Sequence, residues 1–205
     1  MTEDNSGKII LHLCADMGSD SIDYQKNSYD VRLIGSKIGV ENYHPPDNVY
    51  GIIANPPCTH FSIARTVAKT PRDLREGLRL VRECLRIIWE CQFKTPLDKR
   101  VCPLKFWVIE NPATGMLKYF LGKPNYVYNP HEFGADFTKK TALWGWFNPP
   151  KKPFWYNDLP KGSSVKDKMS ITKYIGTPRE KREQQMHDRS KCYEGFAKAF
   201  FEANQ

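Results

Sequence analysis

Several things are missing from this sequence of 205 residues, and each absence removes a class of function. No apolar run approaches the roughly 20 residues that a membrane span needs, and Met1 to Lys8 is polar and partly acidic, unlike a secretory signal. A soluble, cytoplasmic protein with no membrane partner is therefore expected. The six cysteines, Cys14, Cys58, Cys84, Cys91, Cys102 and Cys192, contain no C-x-x-C pair and stand near no histidine and cysteine cluster. That pattern indicates neither a metal site nor a disulfide framework, and leaves reduced thiols, one of which is free for chemistry. No internal repeat is visible, which sets solenoids aside.

What is present is the composition of one globular domain: 40% hydrophobic, 26% charged and 13% aromatic residues over a length typical of a single core. The oligomeric state is not legible. Acidic residues number 23 against 31 basic ones, a net charge of +8. Lys139 to Arg182 carries eleven basic residues against Asp158, Asp167 and Glu180, so all of the excess lies there. Such a segment is either a phosphate-facing surface or a solvated basic loop.

Four short apolar runs read as strands: Ile9 to Leu13, Tyr29 to Ile34, Val49 to Ala54 and Lys105 to Ile109. Each ends in residues with chemical potential, which predicts an α/β domain with a mostly parallel sheet and a ligand outside the strands' carboxyl ends. Between the last two, Pro71 to Phe93 has apolar residues at positions 74, 78, 81, 85 and 88, one helical stripe, with Thr70 and Pro71 as its start signals. Arg72, Arg75, Arg79, Arg82 and Arg86 form a second stripe, within pairing reach of Glu76, Glu83 and Glu90. A salt-bridged face is the favoured reading. Residues 146–176 read as a proline-rich, basic arm, and 177–205 as a C-terminal helix that docks through Tyr193, Phe196, Phe200 and Phe201.

After the third strand stands Asn-Pro-Pro-Cys-Thr-His-Phe-Ser, with Cys58 on a turn stiffened by Pro56 and Pro57. A thiol so placed can act as a nucleophile, and a helix starting just beyond it would favour the thiolate. After the fourth strand comes Glu110-Asn111-Pro112, a carboxyl at a buried rim where a raised pKa suits a proton donor. Thiol and acid then stand on strand ends of one sheet.

In this order the motifs resemble those of the cytosine-5 DNA methyltransferase family, most closely its small phage-encoded members, and the resemblance covers most of the chain. In that family a Pro-Cys turn followed by Phe-Ser carries the nucleophile, matched here by Cys58, and a Glu-Asn-Val motif carries the acid, matched by Glu110. The resemblance implies a Rossmann-like methyltransferase fold, S-adenosylmethionine as cofactor and cytosine-containing DNA as partner, in the host cytoplasm if phage-encoded. It further implies that Cys14, Asp16, Gly18, Ser19, Asn55 and Pro56 hold the cofactor. Ser62, Asn111, Lys139, Lys140 and Thr141 would contact the substrate.

This chain also departs from the pattern. His12 to Ser19 has Gly18 as its only glycine, where the family has two or more. The second strand is followed by Leu-Ile-Gly-Ser-Lys-Ile-Gly, with Glu41 late for a ribose contact. Lys139 or Lys140 stands where the family has arginine, in a segment that also reads as a β-hairpin with exposed lysines. Only about 45 residues are available for target recognition, where Lys151 and Lys152 would meet phosphates and Trp146, Phe147, Phe154, Trp155 and Tyr156 either stack on bases or form a small satellite core. The alternatives are a C5-modifying enzyme for free cytidine nucleotides, or a cofactor-free protein of this fold that binds nucleic acid or a host protein. Asn55 to Pro57 also resembles the Asn-Pro-Pro-aromatic motif of amino-methyltransferases, with Cys58 in the aromatic's place.

Overall fold

A computed structural model describes residues 4–63, 68–93, 104–135, 137–153 and 191–205. Six strands form one sheet: β1 (Ile9–Leu13), β2 (Asp30–Ile34), β3 (Val49–Ala54), β4 (Phe106–Pro112), β5 (Tyr126–Tyr128) and β6 (Thr141–Trp146), in the order β2-β1-β3-β4-β6-β5. The first four neighbours are parallel, whereas β6 runs antiparallel to both β4 and β5. The chain is thus α/β with a mixed, mostly parallel sheet. Chain direction switches sides at β1 and β3, since β2 lies beyond one and β4 beyond the other. Crevices at such a switch point are where open α/β sheets take ligands.

The helices are α1 (Ile22–Lys26), α2 (Leu74–Phe93), α3 (Lys118–Leu121) and α4 (Glu194–Asn204). The alternation of strand side chains divides the core in two. Leu11, Leu13, Ile52, Ala54 and Ile109 face α2, while Ile10, Ile53, Val108 and Leu143 face α4, whose Phe196, Phe200 and Phe201 are buried. Among the described residues no helix is long and apolar enough to cross a membrane, and no group of three or more His, Cys, Asp or Glu is placed to hold a metal ion.

Five expectations change. The fourth strand does not stop at Ile109: β4 runs on through Glu110, Asn111 and Pro112, because β6 pairs with all three. The long helix starts at Leu74, not Pro71, because the Asp73 carboxylate rather than Thr70 accepts the Glu76 amide at 2.9 Å. Its buried stripe is Gly77, Val81, Cys84, Ile88 and Cys91, with Ile87 beside it; Leu74, Leu78 and Leu85 are only half-buried. The last helix starts at Glu194, and Lys191 to Tyr193 precede it as extended chain and a bend. Residues 154–190, including most of the basic arm, lie outside the described residues. Finally, Thr141–Trp146 is no exposed hairpin: it is the strand inserted between β4 and β5.

The arginine face is paired as the favoured reading has it. Arg79 bonds Glu76 and Glu41, and Arg86 bonds Glu83 and Glu90 as well as the Val40 and Tyr43 carbonyls.

Candidate active site

Sheet register brings the chemistry to one edge. Ala54 of β3 is opposite Ile109 of β4, so Asn55, just past the end of β3, and Glu110, within β4 and opposite Leu143 of β6, stand side by side. Because β6 is antiparallel, its first residue, Thr141, meets Pro112 at that same edge, with Tyr128 of β5 next along. Over them lies a cleft with about 300 Å³ of empty space, part of it open solvent, on the α4 side of the sheet. Its walls include Asp20 from the turn after β1, Asn55, Glu110, Lys139 and Thr141, and it is closed from above by Lys191 to Tyr193.

Glu110 is the centre of this cleft. Burial pushes its carboxyl pKa up, and the Asp20 carboxylate adds to that; Lys139 and a hydrogen bond from Asn55 pull it back down. The bond runs from Asn55 Nδ2 to Glu110 Oε2 at 3.3 Å. Asn55 Oδ1 in turn lies 2.9 Å from His12 Nε2, and His12 Nδ1 lies 2.9 Å from Ser21 Oγ. His12 is buried in the middle of β1, and that burial lowers its pKa against the pull of Asp20 and Asn55. Cys192, above, has its thiol pKa pushed up by burial and by Asp20, so it is a neutral thiol and not a nucleophile.

The Pro-Cys turn is held from both sides. Asn111 Nδ2 donates to the Pro56 carbonyl at 2.9 Å, tying the turn to the end of β4. The Phe61 and Ser62 amides both donate to the Cys58 carbonyl, at 2.9 and 2.8 Å, and the Met116 amide donates to the Phe61 carbonyl. On the α2 side, Gly77 lets the helix approach: a Cβ there would come within 2.9 Å of His60 Cβ and 3.0 Å of the Phe61 ring. Residues 59–63 form turns, so the helix expected just beyond Cys58 is not present there. Cys58 itself is half-buried and stands outside the lining of the Glu110 cleft.

No protein-family model matches this chain, and no curated protein does.

The expected cofactor residues fall into two groups. Asn55 lines the cleft, Pro56 braces the Pro-Cys turn, and Ser19 accepts the Cys192 amide at 3.0 Å beneath the cleft's cover. Asp16 instead points away, accepting the Ser36 amide and hydroxyl at 2.8 and 3.0 Å. Cys14, in the left-handed region at φ 56°, has its sulfur 3.7 Å from Cys84, and Gly18, at φ 68°, packs on Leu33. Glu41 is ion-paired with Arg79 and does not reach the cleft.

Of the expected substrate residues, Lys139 and Thr141 line the cleft, whereas Lys140 is exposed and its carbonyl accepts the Ala113 amide. Asn111 and Ser62 act on the Pro-Cys turn. Lys152 is occupied by Glu132 at 2.9 Å and the Val127 carbonyl, and Phe147 packs on Phe200. Trp146 is exposed.

His12 and Asp20 were not singled out from sequence. A histidine inside the apolar run Ile-Ile-Leu-His-Leu was the available signal, because a polar ring in a fully buried strand must find partners. Cys192 gave no such signal.

Whether S-adenosylmethionine suits these walls can be judged from their donors and acceptors. An Asp20 carboxylate suits its cationic half. At the end of β2 no acid is offered for ribose hydroxyls, since Glu41 is engaged elsewhere. Among the described residues the match is confined to the Asp20 carboxylate, for the cationic part of the group, since the Ser19 hydroxyl is engaged by Cys192 and Asp20.

Proposed function

We propose that this protein is a cytosine-5 methyltransferase acting on DNA, with Cys58 as nucleophile and Glu110 as the acid on the pyrimidine. One observation carries the reading: the Pro-Cys turn and the Glu-Asn-Pro strand end are cross-linked, Asn55 to Glu110 and Asn111 to Pro56. A turn and a strand end with separate structural duties need no such reciprocal pairing. The parallel strands with one antiparallel insertion, and a site at the β1 and β3 switch point, support a Rossmann-like methyltransferase domain.

Cytosine C5 is a poor nucleophile until a group adds at C6. The Cys58 thiolate supplies an electron pair to C6, the ring electrons move through C5 and C4 to N3, and the proton held by Glu110 neutralises N3. Burial of Glu110 serves this step because it keeps the carboxyl protonated at higher pH. S-adenosylmethionine, held by Asp20, would supply the electrophilic methyl group for the enamine carbon. As the enamine carbon takes up the methyl group, N3 returns its proton to Glu110; a water molecule then removes the C5 proton, the C5–C6 double bond re-forms, and the Cys58 sulfur departs with its electron pair. Since Cys58, three residues beyond the cleft wall Asn55, is not in the lining of the Glu110 cleft, the base must span from the cleft to the turn. A flipped base and a basic surface suit such a substrate.

The test is methyl transfer from labelled cofactor to cytosine-containing duplex. Cys58→Ser abolishes it, and transfer by that variant at the wild-type rate removes the proposal. Comparing duplex with cytidine nucleotide as acceptor separates DNA from the free-nucleotide reading.

The engagement of Asp16 by Ser36 and of Glu41 by Arg79 favours a second reading, a cofactor-free binding protein. Thermal unfolding discriminates, since a ligand at a hundred times its dissociation constant adds about 2.7 kcal/mol. No stabilisation by S-adenosylmethionine selects the second reading.

A further inference from the structure

Glu110 is reached by a chain of side chains that starts two strands away. His12, Asn55 and Glu110 come from β1, from just beyond β3 and from β4, three adjacent parallel strands, and register sets them in a row on the α4 face. Their hydrogen-bond directions are constrained. Asn55 Oδ1 is an acceptor, so the proton of the neutral His12 ring resides on Nε2, which donates to it. Nδ1 is then an acceptor, so the Ser21 hydroxyl, which also lies 3.2 Å from the Gly18 carbonyl, gives its one hydrogen to the ring. Asp20 Oδ2, 3.7 Å from Nε2, favours the same tautomer, and with that N–H in place a turned Asn55 amide would set its NH2 against it. The Asn55 N–H is left aimed at Glu110 Oε2.

We propose that His12 and Asn55 are positioning residues for Glu110: they keep a donor against Oε2, so that Oε1 is the oxygen that carries and delivers the proton. The inference rests on reading Glu110 as the acid of the proposed reaction. His12 does not touch Glu110: it bonds Asn55, and its Nε2 lies 3.7 Å from Asp20 Oδ2, so it acts on Glu110 through these two cleft walls. Other groups bear on the same carboxyl: Asp20 from the turn after β1, Lys139 from the approach to β6, Lys191 and Cys192 from the segment before α4, and Tyr128 from β5. Of these, Asp20 also faces His12, 3.7 Å from Nε2, and His12→Gln keeps a neutral donor there.

The experiment is an NMR titration of the Glu110 carboxyl carbon in full-length protein, assigned by its loss in Glu110→Gln. Each variant's fold is checked by thermal unfolding. Asn55→Ala removes the donor to the charged form, so Glu110 titrates at higher pH than in the wild type. His12→Leu leaves the Asn55 carbonyl without a donor and frees the amide to turn, giving a smaller shift in the same direction. His12→Gln retains an N–H at the position of Nε2 and restores the wild-type midpoint. Should His12→Leu fail to fold, Asn55→Ala and His12→Gln decide. An unchanged midpoint in Asn55→Ala overturns the proposal, as does a His12→Gln midpoint shifted as far as that of Asn55→Ala. If these shifts occur in a protein that transfers no methyl group, the relay stands and the proposed reaction falls. If transfer occurs without the shifts, the relay falls alone.

Discussion

At the ends of β3 and β4, polar side chains reach across to one another; Asp16 after β1 and Glu41 after β2 are spent on local structure. Asn55 bonds Glu110 and Asn111 bonds Pro56, leaving a carboxyl with a raised pKa and a buried Asn111 Oδ1 without a partner. Asp16 and Glu41, by contrast, are satisfied by Ser36 and Arg79. Groups left perturbed or unpartnered at a strand end are candidates for chemistry, whereas satisfied ones stabilise the turn they sit in. The difference places the proposed chemistry at the ends of β3 and β4.

Glycines test the comparison most severely. A Cβ at Gly35 would fall 2.1 Å from Asp16 Oδ1 and 2.5 Å from the Ala15 carbonyl oxygen, and backbone cannot step aside cheaply. Gly35→Ala is expected to lose about 3 kcal/mol, at the upper end of overpacking costs, in denaturant unfolding. Gly77→Ala sets its Cβ 2.9 Å from His60 Cβ, which moves only with the turn's backbone, and gains helix propensity of about 1 kcal/mol, so its net loss is smaller than that of Gly35→Ala. Its mark should appear in the reactivity of the Cys58 turn toward a thiol reagent. Equal losses from the two variants would erase the distinction between a backbone-locked turn and one braced by side chains.

Next in size is Asn111→Leu. It strips the buried Pro56 carbonyl of its donor but also removes the unpartnered Oδ1, so a net loss of about 1 kcal/mol is expected. A stability equal to the wild type, with unchanged Cys58 labelling, would show that the cross-link holds nothing in place.

The two buried titratable groups of the relay should oppose one another in pH dependence. Glu110 has its folded pKa above the ordinary 4.5, so its contribution is full below 4.5 and is lost as pH rises through the raised value. His12 has its folded pKa below 6.5, so its contribution is present above 6.5 and is lost as pH falls through the lowered value. Between 4.5 and 6.5 the slopes have opposite sign. Glu110→Gln should therefore steepen the fall in stability on acidification in that window, and His12→Gln should flatten or reverse it, as urea unfolding at several pH values would reveal.

The first four strands were legible because each is a dense apolar run with a polar stop, and Ile9–Leu13 and Val49–Ala54 match to the residue. The stripe of α2 was misplaced by one turn of logic: reading only large apolar residues passes over Gly77, Cys84 and Cys91, which are buried because the helix must come close to the sheet and the Pro-Cys turn. The insertion of β6 beside β4 was not legible, since antiparallel pairing over this span is set by the whole sheet and not by the segment's own alternation. For the same reason Cys58 and Glu110 could be named from local motifs, but not the 43-residue link from His12 to Asn55 that orders the acid.

The mildest intervention is at Arg79, and it asks whether Glu41 is withheld from a ligand or has no part in binding one. Arg79 lies on the exposed face of α2 and pairs with both Glu76 and Glu41; it holds the Glu76 carboxyl pKa below the usual range, and that of Glu41 is lowered first by a backbone hydrogen bond and then by Arg79. Exposed pairs of this kind add little to folding and are screened by salt. Arg79→Ala should therefore melt close to the wild type, with the small difference disappearing in high salt. The informative reading comes with S-adenosylmethionine present. A freed Glu41 near the end of β2 is a ready acceptor for ribose hydroxyls, and if the ion pair competes with that contact, the ligand stabilises Arg79→Ala more than the wild type. If both proteins are stabilised equally, Glu41 serves only the helix, and the segment after β2 has no part in binding.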